Sequence, residues 1–593
     1  MAAASEDWKA LLVVAIDVGT TYSGYAMSFS STKSEIQAIR EADSNADHVS
    51  GCPQPGKVPT SLLLDPNGTF DSFGFTARSR YNQLADSNSD NQKTWMYFER
   101  FKMDLHSKTD LSRSTMCTAR NGDKISLISV FSHVIRYFKE QAISQINASS
   151  REDVFTNSIK WVITVPAIWK DDAKQLMREA ASKAGLESEK VAIALEPEAA
   201  AVYCKSVRIM SPAVDKTEDT TGAFESKTRY LLADMGGGTV DVTVHEVGKD
   251  KKIRELHHAT GGAWGGTYVD QNFVLLLKNI FGKASIEKFQ ADHPCDWVDL
   301  VSVKFESAKR AAAVGKPIRV ELTHEFLSFL EREGCSAAKC VKDVWNDDVK
   351  FSRGALTLEY PEVAKLFDPV FENITAHLKS ILEKVDDIKF VILVGGFATS
   401  LLLQEHIKRE VASRYSLRVI TAYNCSLAVV LGSVLFGHDS TLIASRRVKY
   451  SYGISSYLPF EKGIDPDSYR FVDDDGSVLC RHRFFVFAKR NDEVAVGQEI
   501  ERSVYPLYAD TKKLTISVYT SLNAGSRYTK DNDDNMKNVA NIRLPMPNTE
   551  KGKNRRVQVA MHFGETEIKV TSEDTSSGEA RQHVVDLDFL EHS

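Results

Sequence analysis

Unbroken apolar runs recur along the first three quarters of the chain: LLVVAID at 11–17, KWVITVPAIW at 160–169, YLLAD at 230–234 and KFVILVGG at 389–396. Each is bounded by Gly, Pro or Asp. A strand with no polar face must be covered on both sides, so these runs predict a mostly parallel sheet flanked by helices. The stretch DDAKQLMREAASKAGL opens on Asp171 and Asp172 and reaches Gly185, a helix with proper start and stop signals. Beyond about Gly437 the pattern changes. RFFVFAKR, KLTISVYTSL, NIRLPMP, RRVQVAMHF and TEIKVTSED are short, partly alternating runs between turn-forming residues, which predicts an antiparallel β-sandwich. No long amphipathic helical pattern follows before Ser593.

The polar stretch 205–227 reads as a surface loop between two halves. An apolar strand ending in Asp-x-Gly and then Thr occurs on both sides of it, as AIDVGTT at Ala15 and LADMGGGT at Leu232. The repetition suggests two related lobes. At 593 residues, and with a prior of roughly 150 residues per domain, several lobes are expected.

A hydrophobic content of 42% and a charged content of 26% indicate an ordinary globular chain. The formal charge of −6 and the lack of a basic block argue against nucleic-acid binding. The run at 10–16 is too short for a signal core or a membrane span. Eight scattered cysteines suit a reducing compartment, hence a cytoplasmic or nuclear location. The close pair Cys335 and Cys340 lacks a second pair at ligand spacing, so two ordinary thiols are expected there.

Three consecutive glycines at the edge of a strand need a reason, since each costs about 0.5–1 kcal/mol within regular structure. Neither G-x-x-x-x-G-K-[ST] nor G-x-G-x-x-G is present. Small residues after a strand can still aim several backbone N–H groups at one anion. Thr20, Thr21 and Thr239 add hydroxyl donors, while Asp17, Asp234 and Asp241 supply carboxylates that a phosphate alone would repel. A hard cation between them resolves the conflict, and Mg²⁺ suits oxygen ligands and retained waters. The combination points to a metal-bound nucleotide.

The segments IDVGTTYSGYA and DMGGGTVDVTV resemble the two phosphate loops of the actin-like ATPases, specifically those of the 70-kilodalton heat-shock chaperone family, and VGGFATS resembles that family's adenosine loop. The wording DVGTTYSGYAMSF is most similar to the family's atypical 12A/12B branch. The resemblance implies a duplicated, ribonuclease-H-like, two-lobed α/β ATPase domain over 1–440, with lobes of about 1–225 and 226–440. A linker at 441–453 and a β-sandwich without helical lid at 454–593 would follow. It implies a first phosphate loop of Asp17, Gly19, Thr20, Thr21 and Tyr22, and a second of Asp234 and Gly236, Gly237, Gly238 and Thr239. Lys102 in YFERFKMDL matches the catalytic lysine, and Glu196 and Asp241 belong to the water and cation network. Asp17 and Asp234 would hold Mg²⁺ through water, with K⁺ as a further cation. Gly265 and Gly266 resemble the loop over the β- and γ-phosphates, Glu306, Lys309 and Arg310 the adenosine-contacting helix, and Gly395 and Gly396 lie in the adenosine loop. Pro166 matches a switching proline.

Departures from the family pattern are as informative. Thr399 stands where usual members have an adenine-stacking arginine, Ala313 where they have a serine, Ser426 where they have an aspartate, and Lys174 where an arginine pairs with the switching proline. The acidic linker is replaced by HDSTLIASRRVKYSY, and YTKDN and FGETEIKV carry the likeness into the sandwich. The resemblance implies a stress-response chaperone that binds ATP and slowly hydrolyses it to ADP and phosphate, controlling protein or peptide clients and co-chaperones, without membrane insertion. The alternatives are a nucleotide-gated scaffold with negligible hydrolysis, or a small-molecule kinase of the same superfamily.

Overall fold

The computed structural model describes residues 10–38, 56–87, 93–108, 111–149, 156–206, 220–344, 347–530, 535–564 and 568–584. Two compact units are present. One comprises Met1–Trp169, Leu176–Val247 and Ala259–Ser440, the other Lys170–Gln175, Gly248–His258 and Thr441–Ser593.

The first unit contains β1 (Leu12–Asp17), β2 (Tyr22–Phe29), β3 (Ile159–Val165), β4 (Val191–Leu195), β5 (Arg229–Met235), β6 (Val240–Val247), β7 (Ile388–Val394) and β8 (Arg418–Thr421). All six residues of β1 are buried, as a strand without a polar face requires. In one sheet β1 lies parallel to β3 and antiparallel to β2, and β3 is parallel to β4. In the other β5 lies parallel to β7 and antiparallel to β6, and β7 is parallel to β8. The orders β4-β3-β1-β2 and β8-β7-β5-β6 are therefore the same arrangement built twice. In both copies the central strand carries an aspartate at or next to its end, Asp17 as the last residue of β1 and Asp234 as the last but one of β5, before the chain turns back through small residues. β3 stops at Val165 rather than running on to Trp169, because Pro166 has no N–H to extend a ladder.

Helices α1 (Glu196–Ser206) and α3 (Ala428–His438) come from the two halves, with α2 (Thr267–Phe281) between them in sequence. α1 and α3 pack closely at Gly432, where a Cβ would stand 1.8 Å from the Ala199 carbonyl oxygen.

The second unit has a five-stranded antiparallel sheet in the order Arg470–Val472, Val478–Ala488, Ser451–Pro459, Lys513–Ser521, Met536–Pro545. A four-stranded sheet runs Gln498–Val504, Val557–Phe563, Lys569–Asp574, Glu579–Val584. Ile454, Phe487, Val518, Ile542, Val559 and Met561 belong to one core shared by both. The segment expected as a linker, 441–453, carries the strand Ile443–Arg447 and the start of Ser451–Pro459. It is fastened by Ser445 Oγ to Glu493 at 2.6 Å and by the Arg447 N–H to Glu255 at 2.7 Å.

Cys335 and Cys340 form a disulfide, which corrects the expectation of two ordinary thiols. The turn at Gly334, with φ of 77°, leads into the helix Ala337–Val344 and folds the two Cα atoms to 6.8 Å. Most of the loop expected at 205–227 lies outside the described residues, as does part of YTKDN and of FGETEIKV. Among the described residues no helix is long and apolar enough to cross a membrane.

Candidate functional site

The turns after β1 and β5 face one another, and the glycines exist because of that approach. A Cβ on Gly237 would stand 2.1 Å from Thr21 Oγ1, and one on Gly238 would stand 2.2 Å from Met103 Sδ and 2.6 Å from Thr20 Oγ1. A third segment closes on the same backbone. The N–H groups of Gly265, Gly266 and Thr267 donate to the carbonyls of Gly238, Gly236 and Gly237 at 3.1, 3.2 and 2.8 Å. A Cβ on Gly265 would meet the Gly237 carbonyl oxygen at 2.4 Å and the Gly238 carbonyl carbon at 2.6 Å, and neither is a flexible side chain. Gly265→Ala should therefore prise the two loops apart. It is expected to cost about 1–3 kcal/mol by overpacking, read by thermal denaturation, and to weaken any ligand held by the glycine loop.

Four buried carboxylates converge beside these turns. Asp17 accepts from Lys57 Nζ at 2.6 Å and from Thr164 Oγ1 at 2.8 Å. Burial alone would raise its pKa, but the Lys57 and Lys102 ammoniums prevail and hold it below the usual carboxylate value. Glu196, at the start of α1, accepts from Lys102 Nζ at 2.6 Å with both side chains buried. Burial, and then Asp17 and Asp241, push Glu196 up to about 7, although Lys102 pulls the other way. Burial opposes the charge on Lys102, but Glu196, Asp17 and Asp234 raise its pKa. Asp241 lies directly across the ladder from Asp234 and accepts from the Ile168 N–H at 3.0 Å. Like charges placed opposite in an antiparallel pair repel.

Asp234 is the exceptional member. Its carboxylate has no hydrogen-bond or ion-pair partner among the described residues, and it is 5% exposed. Burial, Glu196, Asp241 and Asp17 drive its pKa well above the ordinary value. Gly395, at φ of 91°, passes so close that a Cβ would stand 2.4 Å from Asp234 Oδ1. An all-oxygen set with an uncompensated carboxylate suits a hard cation. Among the described residues no group of three or more His, Cys, Asp or Glu is placed to hold an ion directly.

A continuous helix carries the other polar wall, π-helical over Asp299–Phe305 and α-helical over Glu306–Arg310. Glu306 pairs with Lys309 at 2.5 Å and with Arg310 at 2.6 Å, so the spacings of three and four do put them on one face. Burial would raise the Glu306 pKa, but these two cations hold it down at about 2. Lys309 also reaches Asp270 of α2 at 2.6 Å and the Gly266 carbonyl at 3.0 Å. Asp270 in turn accepts from Arg100 at 2.7 Å, and Arg310 lies 5.1 Å from the centre of the Tyr22 ring, so both halves of the unit are tied across the cleft.

These walls enclose a cleft of about 890 Å³ including its open mouth. Of the residues expected from sequence, Asp17, Gly19, Thr20, Thr21, Tyr22, Lys102, Glu196, Asp234, Gly236, Gly237, Gly238, Thr239, Gly266, Glu306, Lys309, Arg310, Gly395 and Gly396 line it. Asp241 and Gly265 do not, being placed behind the lining. Sequence reasoning missed Lys57, Asp270 and Arg100. Lys57 had no local signal, whereas Asp270 in the first turn of a helix after Gly265-Gly266 was a readable candidate.

Comparison with known proteins identifies the family. The Hsp70 protein family model matches residues 100–438. Heat shock 70 kDa protein 12A of Mus musculus is 35% identical over 641 residues, covering 99% of this chain and 93% of its own. Heat shock 70 kDa protein 12B of Homo sapiens is 34% identical over 638 residues, covering 98% and 91%.

This chain belongs to the Hsp70 family.

Chaperone protein DnaK of Elusimicrobium minutum is 26% identical over 304 residues, which are 50% of this chain and 43% of that protein. Within this Hsp70 chain, Thr399 and Ser426 line the cleft beside Phe397 and Val429. Thr399 turns its hydroxyl to the Gly396 carbonyl at 2.7 Å, so this end of the cleft presents a short neutral side chain where the family resemblance leads one to expect a stacking cation.

Proposed function

We propose that the first unit binds ATP with Mg²⁺ in this cleft and hydrolyses it slowly, and that the nucleotide state governs the hold of the β-rich second unit on protein partners. Asp234 carries the proposal, as a buried carboxylate among carboxylates, with no ion-pair or hydrogen-bond partner among the described residues, beside three glycines. Mg²⁺ would supply the missing positive charge, held through water by Asp17 and Asp234, and would neutralise charge on the phosphates. The N–H groups at Gly237–Thr239 and Gly19–Tyr22 and the hydroxyls of Thr20, Thr21 and Thr239 would orient the phosphate chain, while the Gly236 N–H closes the turn on the Thr239 carbonyl at 2.9 Å. Glu196 would accept a proton from the attacking water, and Lys102 would steady the γ-phosphate. Phosphoryl transfer demands little more than such positioning and electrostatics.

A neutral Thr399 in place of a stacking cation would forgo about 0.5–2 kcal/mol of adenine affinity, so this nucleotide site should bind adenosine less tightly than one with an arginine there. The Lys102–Glu196 pair supports slow turnover, because both groups must leave a tight mutual contact to act. A phosphate-release assay on the purified chain tests the reading. Release that requires Mg²⁺ and disappears in Asp234→Asn is expected. Tight ATP binding without release above background would instead support a nucleotide-gated scaffold.

A further inference from the structure

The first unit has a second cleft, at the opposite end of its β1-β3-β4 strands from the phosphate loops. It measures about 1230 Å³ including its open mouth and is lined by Lys33, Lys160, Lys190 and His438 over an apolar floor at Val13 and Val191. The one carboxylate in its lining is Glu189. Lys190 is already neutralised by Glu187 at 2.6 Å. Lys160 is half-buried and donates to the Gly437 carbonyl at 2.8 Å, and among the described residues it has no further hydrogen-bond partner and no counter-ion. Burial lowers its pKa, as expected for an ammonium without a counter-ion. Lys33 has no side-chain partner among the described residues.

The imidazole of His438 contacts Ser28 Oγ through Nε2 at 2.8 Å. Burial and then Lys33 lower the His438 pKa, with a smaller contribution from Lys160 in the same direction, and all three residues line the cleft. The cleft therefore holds two cations without an ion-pair partner among the described residues, beside the buried side chains of Val13 and Val191. A solvated lysine on an open surface would not show the partial burial of Lys160.

We propose that this cleft is a binding site for a phosphate monoester of a small organic molecule, with Lys33 and Lys160 on the phosphate and Val13 and Val191 beneath the organic body. The site is separate from the nucleotide cleft and does not depend on ATP binding there. Phenyl phosphate is the probe, titrated calorimetrically into the full chain with and without saturating ADP and Mg²⁺. Binding unaffected by the nucleotide is expected, at least severalfold tighter than inorganic phosphate because the ring buries apolar surface. Lys33→Gln and Lys160→Gln should each weaken it roughly tenfold or more, the usual consequence of losing a charge-assisted hydrogen bond. Lys33 is exposed, so its variant should melt as the parent does and keep the test valid if Lys160→Gln is destabilised. Absence of binding, displacement by ADP, equal affinity for inorganic phosphate, or indifference to Lys33→Gln would each overturn the proposal.

Discussion

Asp234→Asn is expected to make the nucleotide-free protein more stable and at the same time to weaken Mg²⁺-dependent ATP binding roughly 10- to 100-fold, the usual range for loss of a group that orders a metal shell. The two signs follow from one cause. Asp234 is buried, lacks a partner among the described residues, and has a folded-state pKa raised by burial and by Glu196, Asp241 and Asp17. Such a group contributes its full stability below the unfolded pKa of about 3.9, and that contribution is lost as pH rises toward the raised folded value. At neutral pH the wild type therefore bears a cost that the amide does not. Removing an uncompensated buried group is worth about 1–3 kcal/mol. Melting curves across pH should show the wild type falling behind Asp234→Asn as pH rises from about 4, with added Mg²⁺ and ATP reversing the order. Equal stability of the two proteins at every pH would contradict the electrostatic reading of this residue.

Lys102→Ala carries the second large effect, again on both stability and turnover. Removing one partner of a buried ion pair costs about 3–5 kcal/mol because the other charge is left alone. Here that charge is Glu196, already pushed up to about 7. The penalty should be greatest above pH 7 and shrink as pH falls and Glu196 takes up a proton. Phosphate release should drop by about 10²–10³, as when a donor aimed at developing charge is lost. The double variant Lys102→Met with Glu196→Gln separates the two consequences, since it removes both charges. Thermal stability should recover most of the loss while phosphate release does not. Recovery of release would show that the lysine serves the fold alone.

The repeated Asp-x-Gly turns were legible because they combine a fully apolar strand, an acid and small residues within a few positions. That pattern located Asp17, Asp234 and the glycine loop, and it anticipated the doubled sheet order of the first unit. Lys57 was not legible. It sits before the two-residue strand Val58–Pro59 and meets Asp17 40 positions away, so no local periodicity announces the pair. Arg100 and Asp270 are separated by 170 positions for the same reason. The family resemblance implied a linker at 441–453, and there Ile443, Ser445 and Arg446 are buried and the segment enters a ladder with Glu493–Ala495. Charge composition concealed a strand that is held by its backbone. Gly237 and Gly238 admit the approach of Thr21 and Thr20, which composition could not show.

The most direct test of the nucleotide cleft is amide hydrogen exchange on the intact chain with and without saturating Mg²⁺ and ATP. Protection should appear together at Gly19–Tyr22, at Gly236–Thr239 and at Gly265–Thr267, and should be much reduced in Asp234→Asn. Exchange at all three segments unchanged by the nucleotide would contradict the assignment.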